Sequence, residues 1–336
     1  MVNEDSKYCN HTKELLNKSK IHSSDILDYS KSPLENIFEQ LFLFCLDNIE
    51  RFSLNFKITP AYFFFRNTFN INAGATYKNN CYIIFITQGM IVKLNKKLGR
   101  KRNFIWQSKL VEMQKLDNEL TDNLGHLMFQ CSMIFTFYHE FAHLVQQKTV
   151  PFYLNENSET NDFSFERHVY EYDADINGAI FVSMYVQQYF NERLKESLKT
   201  KQNLDNLMYL AISSITITFI LFLNNDFDDD KLDLDKMKFY LRKKTHPHTF
   251  VRLNYVIKQF IHTAKSNFST IDLQDTISNV SKICHEYFRQ TSIFTEFATN
   301  FNNNFREIEQ YNFELNMASQ KMKNLIRHKE ELFKLE

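Results

Sequence analysis

Glycine and proline are scarce in this chain: 5 glycines and 4 prolines in 336 residues. That scarcity argues against a fold built from many tight turns and for a helix-heavy one. Net charge is also lacking, because 40 basic and 40 acidic residues cancel. A neutral surface excludes non-specific nucleic-acid binding by the whole molecule. Cysteines are few and scattered: Cys9, Cys45, Cys81, Cys131 and Cys284, an odd number with no close pair. That excludes a zinc knuckle or a dithiol redox motif and fits a reducing compartment. The opening residues, MVNEDSKYCNHTKE, are polar and lack the hydrophobic region of a secretory signal, so a cytoplasmic location is expected. No internal repeat and no low-complexity linker divides the chain.

Apolar residues make up 43% of the chain, with 34 Phe and 16 Tyr, enough to bury the core of one large domain or two smaller ones. Residues 207–223, LMYLAISSITITFILFL, carry no charge over 17 positions. That run is just short of a membrane span and contains four hydroxyl residues, so it reads as a buried helix. The basic cluster Lys93, Lys96, Lys97, Arg100, Lys101 and Arg102 reads as a solvated turn. The acidic stretch 226–236 lacks the glycine and ligand spacing of a calcium loop and reads as surface.

Periodicity predicts a helix over 35–49, strands near 69–75 and 81–87 joined by a turn at 78–80, and a helix over 89–97. Residues 103–119 read as a helix or an extended connection. Asp122 is placed to cap a helix over 123–147 that is apolar on nearly every face. A polar loop at 155–162 leads to a long helix over 164–196, then an apolar helix over 206–223. Residues 238–262 read as helical after the His246-Pro247 step, and 271–336 as two or three amphipathic helices. The fold class expected is α+β and mostly helical. It has an N-terminal helical region at 1–54, a core at 55–262 and a C-terminal helical extension at 263–336.

Residues 139–143 read His-Glu-Phe-Ala-His. On a helix, His139 and His143 stand one turn apart on one face and can grip one metal ion. Glu140 lies beside them, within reach of a metal-held water, which is the arrangement of zinc metallopeptidases. A catalytic zinc site needs a third protein ligand. Glu171, 28 residues past His143, is the candidate. Asp175 shares its helix face and could accept a hydrogen bond from the outer nitrogen of a ligand histidine. Asp173, two residues from Glu171, points elsewhere on a helix. His126 stands 13 residues before His139 and off its face, so it reads as a hydrogen-bonded core or interface residue.

Five stretches, in order, resemble the M48-type zinc metallopeptidases, the group of the CAAX prenyl endopeptidases and the HtpX heat-shock proteases. Asn72-Ala73-Gly74-Ala75 is similar to the NAxA segment, and Ile86-Thr87-Gln88-Gly89-Met90-Ile91 to the strand-to-helix step. His139–His143 matches HExxH, Glu171–Asp175 matches ExxAD, and His246–Arg252 matches HPxxxxR. The resemblance spans residues 72–252. It implies a gluzincin-like zincin domain with a small sheet and a central HExxH helix, and Zn2+ held by His139, His143 and Glu171. It further implies that Asp175 orients a ligand histidine and that Asn72, Ala73, Gly74 and Ala75 line the substrate cleft. His246 would stand near the substrate carbonyl as a catalytic group, with Arg252 supporting the site. Paired membrane helices of the prenyl-protease type are not evident, so the likeness is to a soluble, divergent member.

The function expected is hydrolysis of peptide bonds in a peptide or protein substrate, with Glu140 as general base. No nucleic-acid partner and no membrane residence is expected. The alternatives are a zinc-stabilised binding or regulatory protein without proteolysis, and a zinc amidase acting on a small molecule.

Overall fold

The computed structural model describes residues 6–100, 103–120, 123–148, 163–224, 235, 237–266, 271–322 and 325–326. Asp122, the polar loop at 155–162, most of the acidic stretch, Lys101, Arg102 and most of the last amphipathic segment lie outside them. The protein is mostly helical, about 70% helix, with a small three-stranded mixed sheet, an α+β architecture. The chain resolves into two compact units, one of residues Met1–Lys93, Phe137–Glu159 and Met322–Glu336, the other of Leu94–Thr136 and Thr160–Lys321.

In the first unit, α1 (Lys7–Ser19) and α2 (Glu35–Asn55) precede β1 (Ala61–Arg66), β2 (Ala73–Lys78) and β3 (Cys81–Thr87). The strand order is β1-β3-β2, with β1 parallel and β2 antiparallel to β3. Asn79 and Asn80 both have positive φ, as a two-residue hairpin turn of matching twist requires. The sequence pattern does not predict β1. Its sequence, AYFFFR, does not alternate because Tyr62, Phe63, Phe64 and Phe65 are all buried, with α2 and α1 packed against the strand. A strand covered on both faces loses the period of two that marks a half-exposed one. β2 begins at Ala73 rather than 69 because the backbone at Phe69 packs on Gly89. A Cβ on Gly89 would stand 2.0 Å from the Phe69 carbonyl oxygen. α3 (Gln88–Leu94) follows β3 directly.

In the second unit, α3 passes into a π-helical turn, Asn95–Gly99, where Lys96 and Arg100 are exposed but Lys97 is buried. α4 (Asn103–Trp106) and α5 (Val111–Glu119) precede α6 (Leu124–Gln147), whose last turns belong to the first unit. α7 (Phe165–Arg193) starts at Ser164, whose hydroxyl accepts the Arg167 amide at 3.3 Å. α8 (Lys201–Asn224) is the one helix among the described residues long and apolar enough to cross a membrane. Its apolar window is 89% buried within the protein. The hydroxyls in that run are satisfied locally. Ser213 donates to the Tyr209 carbonyl, Ser214 to Ala211 and Thr216 to Ile212, while Thr218 meets Ser132 at 2.9 Å.

α9 (Thr249–Ser266) packs on α7 and α8. It starts three residues after His246, past the His246-Pro247 step after which the sequence reading set the helix, and 237–248 is not helical. Pro247 disfavours helical backbone at His246, and Arg242 has φ 53°. α10 (Leu273–Tyr287), α11 (Ile293–Asn303) and α12 (Phe305–Ser319) complete the unit, α12 packing across α7 and α9.

Candidate metal centre

Helical spacing places His139, Glu140 and His143 on the C-terminal turns of α6, all about nine-tenths buried. The two imidazole rings stand nearly perpendicular, with centroids 4.6 Å apart. Their Nε2 atoms converge to 3.0 Å. On the other side of His143, Nδ1 meets Gln146 Oε1 at 2.8 Å. An amide oxygen only accepts, so His143 Nδ1 carries the proton and its Nε2 presents a lone pair toward His139. A hydrogen bond of this kind fixes the tautomer of a metal-binding histidine.

Glu171 on α7 is 6% exposed. Single ligand atoms of His139, His143 and Glu171 all lie within 4.8 Å of one another. Tetrahedral zinc, with bonds of about 2.0–2.1 Å, separates neighbouring ligand nitrogens by roughly 3.4 Å, close to the spacing of the two Nε2 atoms. Two imidazoles and one carboxylate are a donor set that zinc takes, so the residues fit the ion. The cluster is the only group of three or more His, Cys, Asp or Glu side chains so arranged among the described residues.

Behind Glu171 lies a buried charged network. His246 Nε2 stands 3.3 Å from Glu171 Oε1, and Arg252 Nη2 3.9 Å from Oε2. Arg252 grips Asp175 through two hydrogen bonds, Nε to Oδ2 at 2.7 Å and Nη2 to Oδ1 at 2.6 Å. Tyr255 donates its hydroxyl to Asp175 Oδ2 at 2.7 Å. Burial works against the Arg252 charge, but Asp175 and then Glu171 outweigh it and hold the guanidinium above its usual range. Burial, then the Asp175 charge, pushes Tyr255 well up, so its proton stays in place. The Arg252 guanidinium also lies 4.6 Å from the centre of the Phe219 ring.

His246 itself is half-exposed, its Nδ1 3.0 Å from the Thr245 hydroxyl. Asp173 is fully buried yet stands outside the cluster of three. His126 is half-buried, with its ring 6.2 Å from that of Phe129. Asn72 lies just before β2, and Ala73, Gly74 and Ala75 lie in it. The Thr87 amide donates to the Asn72 carbonyl at 3.0 Å. Antiparallel alternation then turns the backbone groups of residues 73, 75 and 77 away from β3, toward the sheet edge. The outward carbonyl of Ala75 accepts a hydrogen bond from Gln147 Nε2 at 3.0 Å, linking β2 to α6 one turn past His143.

Three contributors were not read from the sequence: Gln146, Tyr255 and His168. Gln146 and Tyr255 each sit three residues past a named site residue, on the same helix face, which is the signal that could have marked them. His168 stands three residues before Glu171 on α7 and carries the same spacing signal.

Comparison of the chain with protein-family models, curated proteins and solved structures returned no match to any of them. Fold and site together define a mostly helical α+β protein with a buried His/His/Glu cluster able to coordinate a metal ion.

Proposed function

We propose that the protein is a zinc-dependent endopeptidase of gluzincin type, related to the M48-type enzymes and working in the cytoplasm on a peptide or protein substrate. The observation that carries this reading is the convergence of His139, His143 and Glu171, with Glu140 in the same helical turn as the two histidines. Zinc held there would supply Lewis acidity to a water and to a peptide carbonyl. Glu140 would take the proton of the attacking water and return it to the leaving amine. His246, half-exposed beside Glu171, would donate to the developing oxyanion, a contribution of about 3–4 kcal/mol for such a donor. Arg252 and Asp175 would hold Glu171 and the α7–α9 pair in register. The edge of β2 at Asn72–Ala75 would receive substrate as an added extended strand.

A second reading is a structural zinc site in a binding or regulatory protein. The observation favouring it is the His246 imidazole at 3.3 Å from Glu171, where it could close the cage as a fourth ligand.

Comparing a proteome's cleavage products after treatment with wild-type protein and with Glu140→Gln tests the choice. The peptidase reading expects new peptide termini with wild type alone, while both proteins retain zinc. Identical products from the two would reject the general-base role.

A further inference from the structure

His168 lies on α7, three residues before Glu171, and is fully buried. Its Nε2 meets the Lys244 carbonyl at 2.8 Å and its Nδ1 meets the Tyr311 hydroxyl at 2.7 Å. A carbonyl only accepts, so Nε2 carries the proton and Nδ1 accepts from Tyr311. Both ring nitrogens are therefore used, in one tautomer. Burial lowers the ring's pKa to about 4, which keeps it neutral as this pairing requires.

Lys244 stands two residues before His246, in the non-helical segment 237–248. That segment lacks the backbone ladder of a helix or strand, so side chains must set its course. Arg242 ion-pairs with Glu314 of α12, and its guanidinium lies 5.5 Å from the centre of the Tyr311 ring. His168 supplies the tie to α7, the helix that carries Glu171.

We propose that His168 is a positioning residue: from α7 it holds the Lys244 backbone so that the His246 imidazole meets Glu171, and Tyr311 of α12 fixes the His168 ring. Helix α12 thereby helps shape a site whose sequence motifs end at Arg252. The proposal rests on the metal reading of His139, His143 and Glu171, and it holds whether His246 is a donor to substrate or a fourth ligand.

The test is zinc affinity, measured by competition with a chelator, together with the ring-nitrogen NMR signals of His246 in the zinc-free protein. His168→Phe keeps a flat aromatic ring at the position and removes both hydrogen bonds. It is expected to weaken zinc binding about tenfold, the usual scale for losing a group that orients a ligand. It should also shift the His246 signals. His246→Ala should weaken binding at least as much, and the combined variant should lose no more than His246→Ala alone. His168→Gln can donate to Lys244 and accept from Tyr311, and is expected to restore wild-type affinity. Tyr311→Phe, a milder change should His168→Phe not fold, is expected to move both readouts in the same direction by less.

Multiplying losses in the combined variant, or wild-type affinity with unshifted His246 signals in His168→Phe and Tyr311→Phe, would overturn the positioning role alone. A folded wild type that takes up no zinc would remove the metal reading and this proposal with it.

Discussion

Arg252 and Asp175 form a two-pronged ion pair with donor–acceptor distances of 2.6 and 2.7 Å, and the Asp175 side chain is wholly buried. The pair locks α9 to α7 four residues after Glu171. Breaking a buried pair leaves an uncompensated charge in a region of low polarity. Arg252→Ala is therefore expected to destabilise the fold by about 3–5 kcal/mol. Urea unfolding of the variant against wild type measures it. Arg252→Lys should fall between them, because an ammonium group cannot reproduce the fork.

The two buried histidines of the 168 and 248 positions set an acid limit on stability. Burial lowers His168 to about 4 and His248 to about 3, from an ordinary value of 6.5. Both stay neutral in the fold, while the unfolded chain takes up protons near its ordinary value. Stability from these rings is fully present above pH 6.5 and falls as pH drops toward their folded values. Between pH 6.5 and 5 the loss is up to about 2 kcal/mol per ring. Unfolding titrations at pH 7 and 5 read the slope, and His168→Gln should flatten it. An equal slope in the variant would show that this ring does not contribute.

Gln146 is expected to matter to metal and little to folding. Gln146→Leu removes the acceptor on His143 Nδ1 and should weaken zinc binding about tenfold or more. The melting temperature of the zinc-free protein should change little. Chelator competition and thermal melting, run on the same preparation, separate the two effects.

The outward carbonyl of Ala75 is tied to Gln147. Gln147→Ala removes one exposed-edge hydrogen bond, a loss of about 1 kcal/mol. Faster hydrogen exchange along residues 73–77, with the rest of the sheet unchanged, is the expected outcome.

The helices that carry the cluster were legible because their apolar runs are long. α6 was expected at 123–147 and runs Leu124–Gln147, while α7 was expected at 164–196 and runs Phe165–Arg193. The pairing of His139 with His143 follows from one helical turn, and Glu171 from the need for a third donor. β1 was hidden because four consecutive aromatic residues are all buried, which removes alternation. Residues 238–248 are not helical, and there Phe239 and Tyr240 pack with Phe250 around the His248 ring. The His168 relay could not be read at all: Tyr311 is 143 residues away, and no local pattern encodes such a contact.

The peptidase reading requires one zinc ion held by His139, His143 and Glu171. Elemental analysis of the purified protein, beside His139→Ala, Glu171→Ala and Asp173→Ala, tests it most directly. About one zinc per chain is expected in wild type and Asp173→Ala, with a marked loss in the other two. Zinc retained at the wild-type level in Glu171→Ala, or none in wild type, would contradict it.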